Sequence, residues 1–172
     1  MPGGAPLAYF LTFTTYGTWF HGDARGSVDR TRNQPGEPGI DPSPSLVRHE
    51  RDVRMTRPPV VFDFVARQVV GDALAETCAF RGWQLLAANV RTTHVHVVVV
   101  ADERPEVVLT ALKANATRLL VERAKLSKGS RVWTRHGSTR YLWEERDVED
   151  ACTYTVEFQD AASGRWERAD GG

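Results

Sequence analysis

An α+β fold around one antiparallel sheet is predicted for this 172-residue chain by three observations. Alternating runs rich in β-branched and aromatic residues mark strands at Ala8 to Thr15 (AYFLTFTT), Trp83 to Val90 (WQLLAANV) and His94 to Val100 (HVHVVVV). The last two are separated only by Arg91-Thr92-Thr93, too short for a parallel crossover, so they form a hairpin. Apolar residues three and four apart fill the intervals with helices, in the order strand, helix, strand, strand, helix, strand. That order is the split βαβ, or ferredoxin-like, pattern of a sheet with helices packed on one face, followed here by one more helix.

Each element has a local reason. After the first strand, residues 16–59 are rich in Pro, Gly, Arg and Asp without a period, which reads as a long irregular insertion laid over one face of the core. Beyond Pro58-Pro59, Phe62, Val65, Val69 and Ala73 share a helical stripe with Cys78 further on, and Gly82 stops that helix after about Arg81. Pro105 opens the second helix, with Val108, Leu112, Ala116 and Leu119 on one side and Arg123 at its end. A Lys/Gly/Ser turn at Ser127 to Ser130 leads to two short strand candidates, Val132-Trp133 and Thr139 to Trp143. The last helix is expected from near Asp147 to about Phe158, because acids gather where a helix N-terminus favours them. The Gly- and Asp-rich tail from about Asp160 is expected to fray.

Composition narrows the function classes. The length suits a single domain, residues 1–172, and 41% hydrophobic with 26% charged residues is too apolar for a disordered chain. The apolar run at Val95 to Ala101 is far short of the ~20 residues that span a membrane. No secretory signal pattern opens the chain, and Cys78 and Cys152 read as small core residues, so a cytoplasmic, reducing location is expected. The zero net charge hides a segregation: residues 104–141 carry nine Lys/Arg against two Glu, and residues 142–172 carry three Arg against nine acids. The basic segment therefore offers phosphate contacts, with Lys113, Arg118, Arg135, His136 and Arg140 as the candidates.

Chemistry concentrates at two places. In a strand, residues two apart point the same way, so His94 and His96 leave one face together while Val95 packs beneath, and two imidazoles on one face can chelate a divalent ion. Two ligands are too few for a structural zinc site, and neither cysteine is spaced to add one; a third ligand must come from elsewhere. On the last helix, Val148, Cys152 and Thr155 form one side and Asp150, Tyr154, Glu157 and Phe158 another, so Tyr154 need not be core. Trp19, Trp133 and Trp143 could stack on bases, though each reads first as packing. His21, Asp23 and His49 carry no comparable pattern.

Taken together, AYFLTFTTYGTW, NVRTTHVHVVV, LKANATRLL, VWTRHGSTRYLW and DVEDACTYTVEFQ resemble the HUH single-tyrosine transposases of the REP-associated and insertion-sequence type, over about residues 8–159. The resemblance implies an HUH nuclease fold and a Mg²⁺- or Mn²⁺-dependent transposase or nickase acting on single-stranded or hairpin DNA through a 5′-phosphotyrosine. It further implies that His94 and His96 hold the metal and that Tyr154 is the nucleophile. One departure stands out. Family members commonly carry an amide four residues after the tyrosine, where this chain has Phe158; Gln159 follows at five and Glu157 precedes at three. Gln159 completes the site if the helix contains a π-bulge; otherwise Glu157, or no protein group, does. A catalytically impaired DNA-binding module of the same fold and an unrelated metal-dependent hydrolase stay open, as do monomer and homodimer.

Overall fold

The computed structural model describes residues 3–18, 44, 45, 48, 57–157 and 164–167. Five strands form one antiparallel sheet: β1 (Ala8–Thr14), β2 (Gln84–Val90), β3 (His94–Val100), β4 (Ser138–Leu142) and β5 (Gly164–Glu167), in the order β4-β1-β3-β2-β5. Among the described residues, the helices α1 (Phe64–Arg81), α2 (Pro105–Arg123) and α3 (Glu145–Glu157) pack with the sheet in an α+β fold. The first four strands with α1 and α2 follow the ferredoxin-like order that the sequence predicts. Among the described residues, no helix is long and apolar enough to cross a membrane.

Local signals explain the boundaries. Asp63 caps α1 by accepting a hydrogen bond from the Ala66 amide at 2.8 Å, and Gly82 ends it in the left-handed region at φ 72°. Pro105 begins α2, where its missing N–H costs nothing. Val132-Trp133 does not become a strand; a single bridge, Thr15 to Trp133, joins it to the end of β1. The tail also departs from expectation. Four of its residues, Gly164–Glu167, pair antiparallel with β2 and cover an edge that the alternation of β2 leaves ready for a partner.

The sheet separates two apolar layers. Leu11, Phe13, Val95, Val97 and Val99 face α1 and α2, with Val70, Leu74, Leu112 and Leu119 above them, all buried. On the other face, Ala8, Ala87, Val98 and Leu142 meet Ala151, with Val148, Cys152 and Val156 at the margin. So α3 lies across the second face of the sheet, on its own stripe of small residues. Cys78 and Cys152 are free thiols, and burial pushes both above the ordinary thiol range, Cys78 to about 11. Gly137 is required just before β4, because a Cβ there would stand 2.7 Å from the Thr12 carbonyl oxygen. That close approach keeps β4 seated on β1.

Candidate active site

Register places the two histidines. In the β1–β3 ladder His94 lies opposite Thr14 and His96 opposite Thr12, while across β2 the partner of His96 is Asn89. Both imidazoles therefore leave the face that α3 covers, and Val95 between them is fully buried on the other side. Their ring centres are 4.9 Å apart. Two imidazoles bound to one ion through nitrogens ~2.1 Å away have ring centres on the order of 5 Å apart, so the pair fits a shared divalent ion.

Helix α3 brings the tyrosine to the same place. Its buried side, Ala151 and Thr155, faces the sheet, which turns Tyr154 outward along the margin with 47% of its surface exposed. The Tyr154 ring stands edge-on to His96 at 6.0 Å and to Phe10 at 6.1 Å. Phe10 in turn stacks on His96 at 5.6 Å. Three side chains from three elements thus enclose one corner of the face. An open groove of about 380 Å³ runs past it, lined by Phe10, Arg140, Asp150, Ala151, Thr153 and Tyr154.

Burial, then the neighbouring His94 and Arg91, lower the His96 pKa to about 4, so the ring is neutral and able to donate a lone pair at neutral pH. An unfolded chain would take up a proton near pH 6.5 that the folded one refuses. The stability that this neutral ring contributes is complete above pH 6.5 and is lost as pH falls toward 4. Metal-free protein is expected to lose about 2–3 kcal/mol across that window, and His96→Gln to flatten the curve there; denaturant melts at four or five pH values measure it.

Of the sequence candidates, His94, His96, Tyr154 and Arg140 meet on this face. Arg140, opposite Phe10 in the β1–β4 ladder, borders the groove, with Asp147 4.0 Å from its guanidinium. Lys113 and Arg118 do not join them, since α2 lies across the sheet. The Lys113 ammonium donates to the backbone carbonyls of Thr134 and His136 and lies 5.9 Å from the Phe13 ring centre, and burial lowers its pKa to about 8. The Arg118 guanidinium is held by Glu76 at 2.9 Å and Glu122 at 3.0 Å. Both have partners on the far side of the sheet from the histidines. Arg135 and His136 are exposed on the turn before β4, His136 at φ 69°. Trp133 is a packing residue: it is buried against Phe13 and Phe62, and its indole donates to the Lys113 carbonyl and the Thr117 hydroxyl. Trp143 stacks on Tyr141.

The described residues add no further His, Cys, Asp or Glu to the histidine pair. Glu157 is exposed at the end of α3, and among those residues no group of three or more His, Cys, Asp or Glu could hold an ion. Gln159 and Phe158 lie outside the described residues, as do Trp19, His21, Asp23, His49 and most of the 16–59 insertion. Three contributors escaped the sequence reading. Phe10 and Thr12 share a face with the imidazoles by simple alternation along β1, and a polar Thr12 in an aromatic strand was the available signal. Asn89 is fully buried; its amide donates to the Thr155 carbonyl at 3.0 Å, while its own oxygen has no partner among the described residues. A single Asn in WQLLAANV was the clue there. That bond satisfies a carbonyl in the last turn of α3 and ties the tyrosine-bearing helix to the strand beside His96.

No protein-family model and no curated protein sequence matches the chain. Among solved structures it is similar to a REP-associated tyrosine transposase bound to a REP hairpin, at 12% identity and a TM-score of 0.47 over 88% of this chain and 66% of that one. It is also similar to a candidate transposase of Deinococcus radiodurans R1, at 17% identity and a TM-score of 0.48, over 87% and 89% of the two chains. This chain thus spans just under two thirds of the first neighbour. Both neighbours are described as transposases, the kind of protein that the sequence resembles; neither likeness assigns a role to a residue.

Proposed function

We propose that the chain is a metal-dependent DNA transposase or nickase of the HUH type, which cuts and rejoins single-stranded or hairpin DNA through Tyr154. The observation that carries this reading is the meeting of His94, His96 and Tyr154 on one face of the sheet, from two elements far apart in sequence. A generic metal hydrolase has no use for a half-exposed phenol edge-on to its ligand, and a purely structural helix has no use for two imidazoles beneath it.

His94 and His96 would hold Mg²⁺ or Mn²⁺, with imidazole suiting Mn²⁺ better. When bound, the ion supplies charge neutralisation and orientation of the phosphodiester. The Tyr154 hydroxyl oxygen attacks phosphorus; the new O–P bond replaces the bond from phosphorus to the 3′ oxygen, which leaves and takes up a proton. A 5′-phosphotyrosine and a free 3′-OH result, and the reverse attack rejoins the strand. Arg140, which lines the same groove as Tyr154, supplies a cation to a neighbouring phosphate, and Phe10 an apolar surface for a base.

The test is a panel of short single strands and hairpins incubated with the protein and Mn²⁺ and resolved under denaturing conditions. A protein–DNA adduct of one strand per chain is expected. Cleavage that leaves two free ends and no adduct would instead make it a metal hydrolase. Binding without cleavage would favour the DNA-binding module, a reading that the two-histidine donor set specifically invites.

A further inference from the structure

We propose that Thr12 is a positioning residue: its hydroxyl oxygen accepts a hydrogen bond from His96 Nδ1–H and so leaves Nε2 as the lone-pair nitrogen of that ring. The inference rests on the reading of the histidine pair as a metal site, but it concerns only atoms of this chain. Thr12 Oγ1 lies 2.9 Å from His96 Nδ1, and the two residues are direct partners in the β1–β3 register, so the contact is set by the sheet. His96 itself is 9% exposed, clamped under Phe10 and beside Tyr154, so its ring cannot turn to exchange its nitrogens without disturbing both.

A neutral imidazole carries one proton, and the nitrogen that keeps it cannot bind an ion. A free histidine side chain favours the proton on Nε2, the wrong form for a ligand that reaches outward from the strand. An acceptor at Nδ1 reverses that preference, the service that supporting carboxylates and carbonyls perform for metal-bound histidines elsewhere; a hydroxyl can accept or donate, and the proposal assigns the accepting role to Thr12. The neighbouring ring has the same arrangement from a different element, with Thr93 Oγ1 3.3 Å from His94 Nδ1. Thr14, although it is the cross-strand partner of His94, points its hydroxyl at the Thr134 hydroxyl, 2.8 Å away. So the support of His94 falls to the β2–β3 turn, and the closer contact, that of Thr12, is the one to test.

The experiment records ¹H–¹⁵N spectra of histidine side chains in the metal-free full chain at pH 7.5, together with calorimetric Mn²⁺ titrations. Wild type is expected to show His96 protonated at Nδ1. Thr12→Val keeps the β-branched shape that a strand favours and removes only the oxygen. It is expected to move His96 toward the Nε2–H form and to weaken Mn²⁺ binding about 10- to 100-fold, with Thr12→Ser restoring both. An Nε2–H signal in wild type, or a Thr12→Val spectrum identical to it, would overturn the assignment. A wild-type Nδ1–H signal that Thr12→Val shifts, with no Mn²⁺ binding by either protein, would support the tautomer assignment and sink the metal reading instead.

Discussion

Tyr154→Phe is expected to keep DNA and Mn²⁺ binding and to lose covalent adduct formation and strand cleavage by at least about a thousandfold, as removal of a nucleophile does. The substitution deletes one oxygen from a ring that is half exposed and leaves its edge contacts with Phe10 and His96 available. A change in stability therefore cannot account for lost activity, and thermal melts of the two proteins should coincide within about 1 kcal/mol. Among the described residues that line the groove, Thr153 carries the other hydroxyl, an aliphatic one far less acidic than a phenol. Phe10 cannot attack, and Asp150, one turn before Tyr154 in the same groove, would leave an acyl phosphate that hydrolyses. Cleavage that survived in Tyr154→Phe would point to water as the nucleophile.

The second large effect belongs to the histidine pair. His94→Ala and His96→Ala each remove one of two imidazoles whose ring centres lie 4.9 Å apart, and Mn²⁺ affinity measured by calorimetry is expected to fall roughly 100-fold or more in each. Cleavage should fall in step, with single-strand binding retained, because phosphate contacts carry most of that affinity. The two variants should differ in stability. His96 is buried under Phe10 and beside Tyr154, so its truncation opens space in the face under α3 and costs on the order of 2 kcal/mol, whereas half-buried His94 costs less. Equal Mn²⁺ affinity in wild type and the double variant would remove the site from the account.

Much of this arrangement was legible in the residues. Alternation in HVHVVVV places both imidazoles opposite Val95, and the three-residue turn before it dictates the hairpin; the structure has both. The helical stripe of Val148, Cys152 and Thr155 predicts which side of α3 faces the sheet, and so that Tyr154 need not be core; the structure leaves it half exposed. What escaped the reading depends on packing between elements. No period in residues 160–172 announces β5, because a four-residue edge strand is stabilised by the strand it joins more than by its own pattern. Charge counting named Lys113 and Arg118 with Arg140, yet only the sheet decides which side each occupies: α2 carries two of them away to neutralise Glu76 and to bind carbonyls behind β4. Asn89 shows the same limit. A buried amide can be recognised in a strand, but its bond to the Thr155 carbonyl belongs to a helix more than sixty residues on.

The central claim is that Tyr154 becomes covalently attached to DNA beside the histidine pair. Mass spectrometry of the protein after reaction with a hairpin substrate in Mn²⁺, followed by nuclease and protease digestion, tests it most directly. The account predicts a nucleotide linked through a 5′-phosphate to the peptide that contains Tyr154, present in wild type and missing from Tyr154→Phe and from the double histidine variant. A nucleotide found on any other residue, or cleaved DNA with no modified peptide, would contradict it.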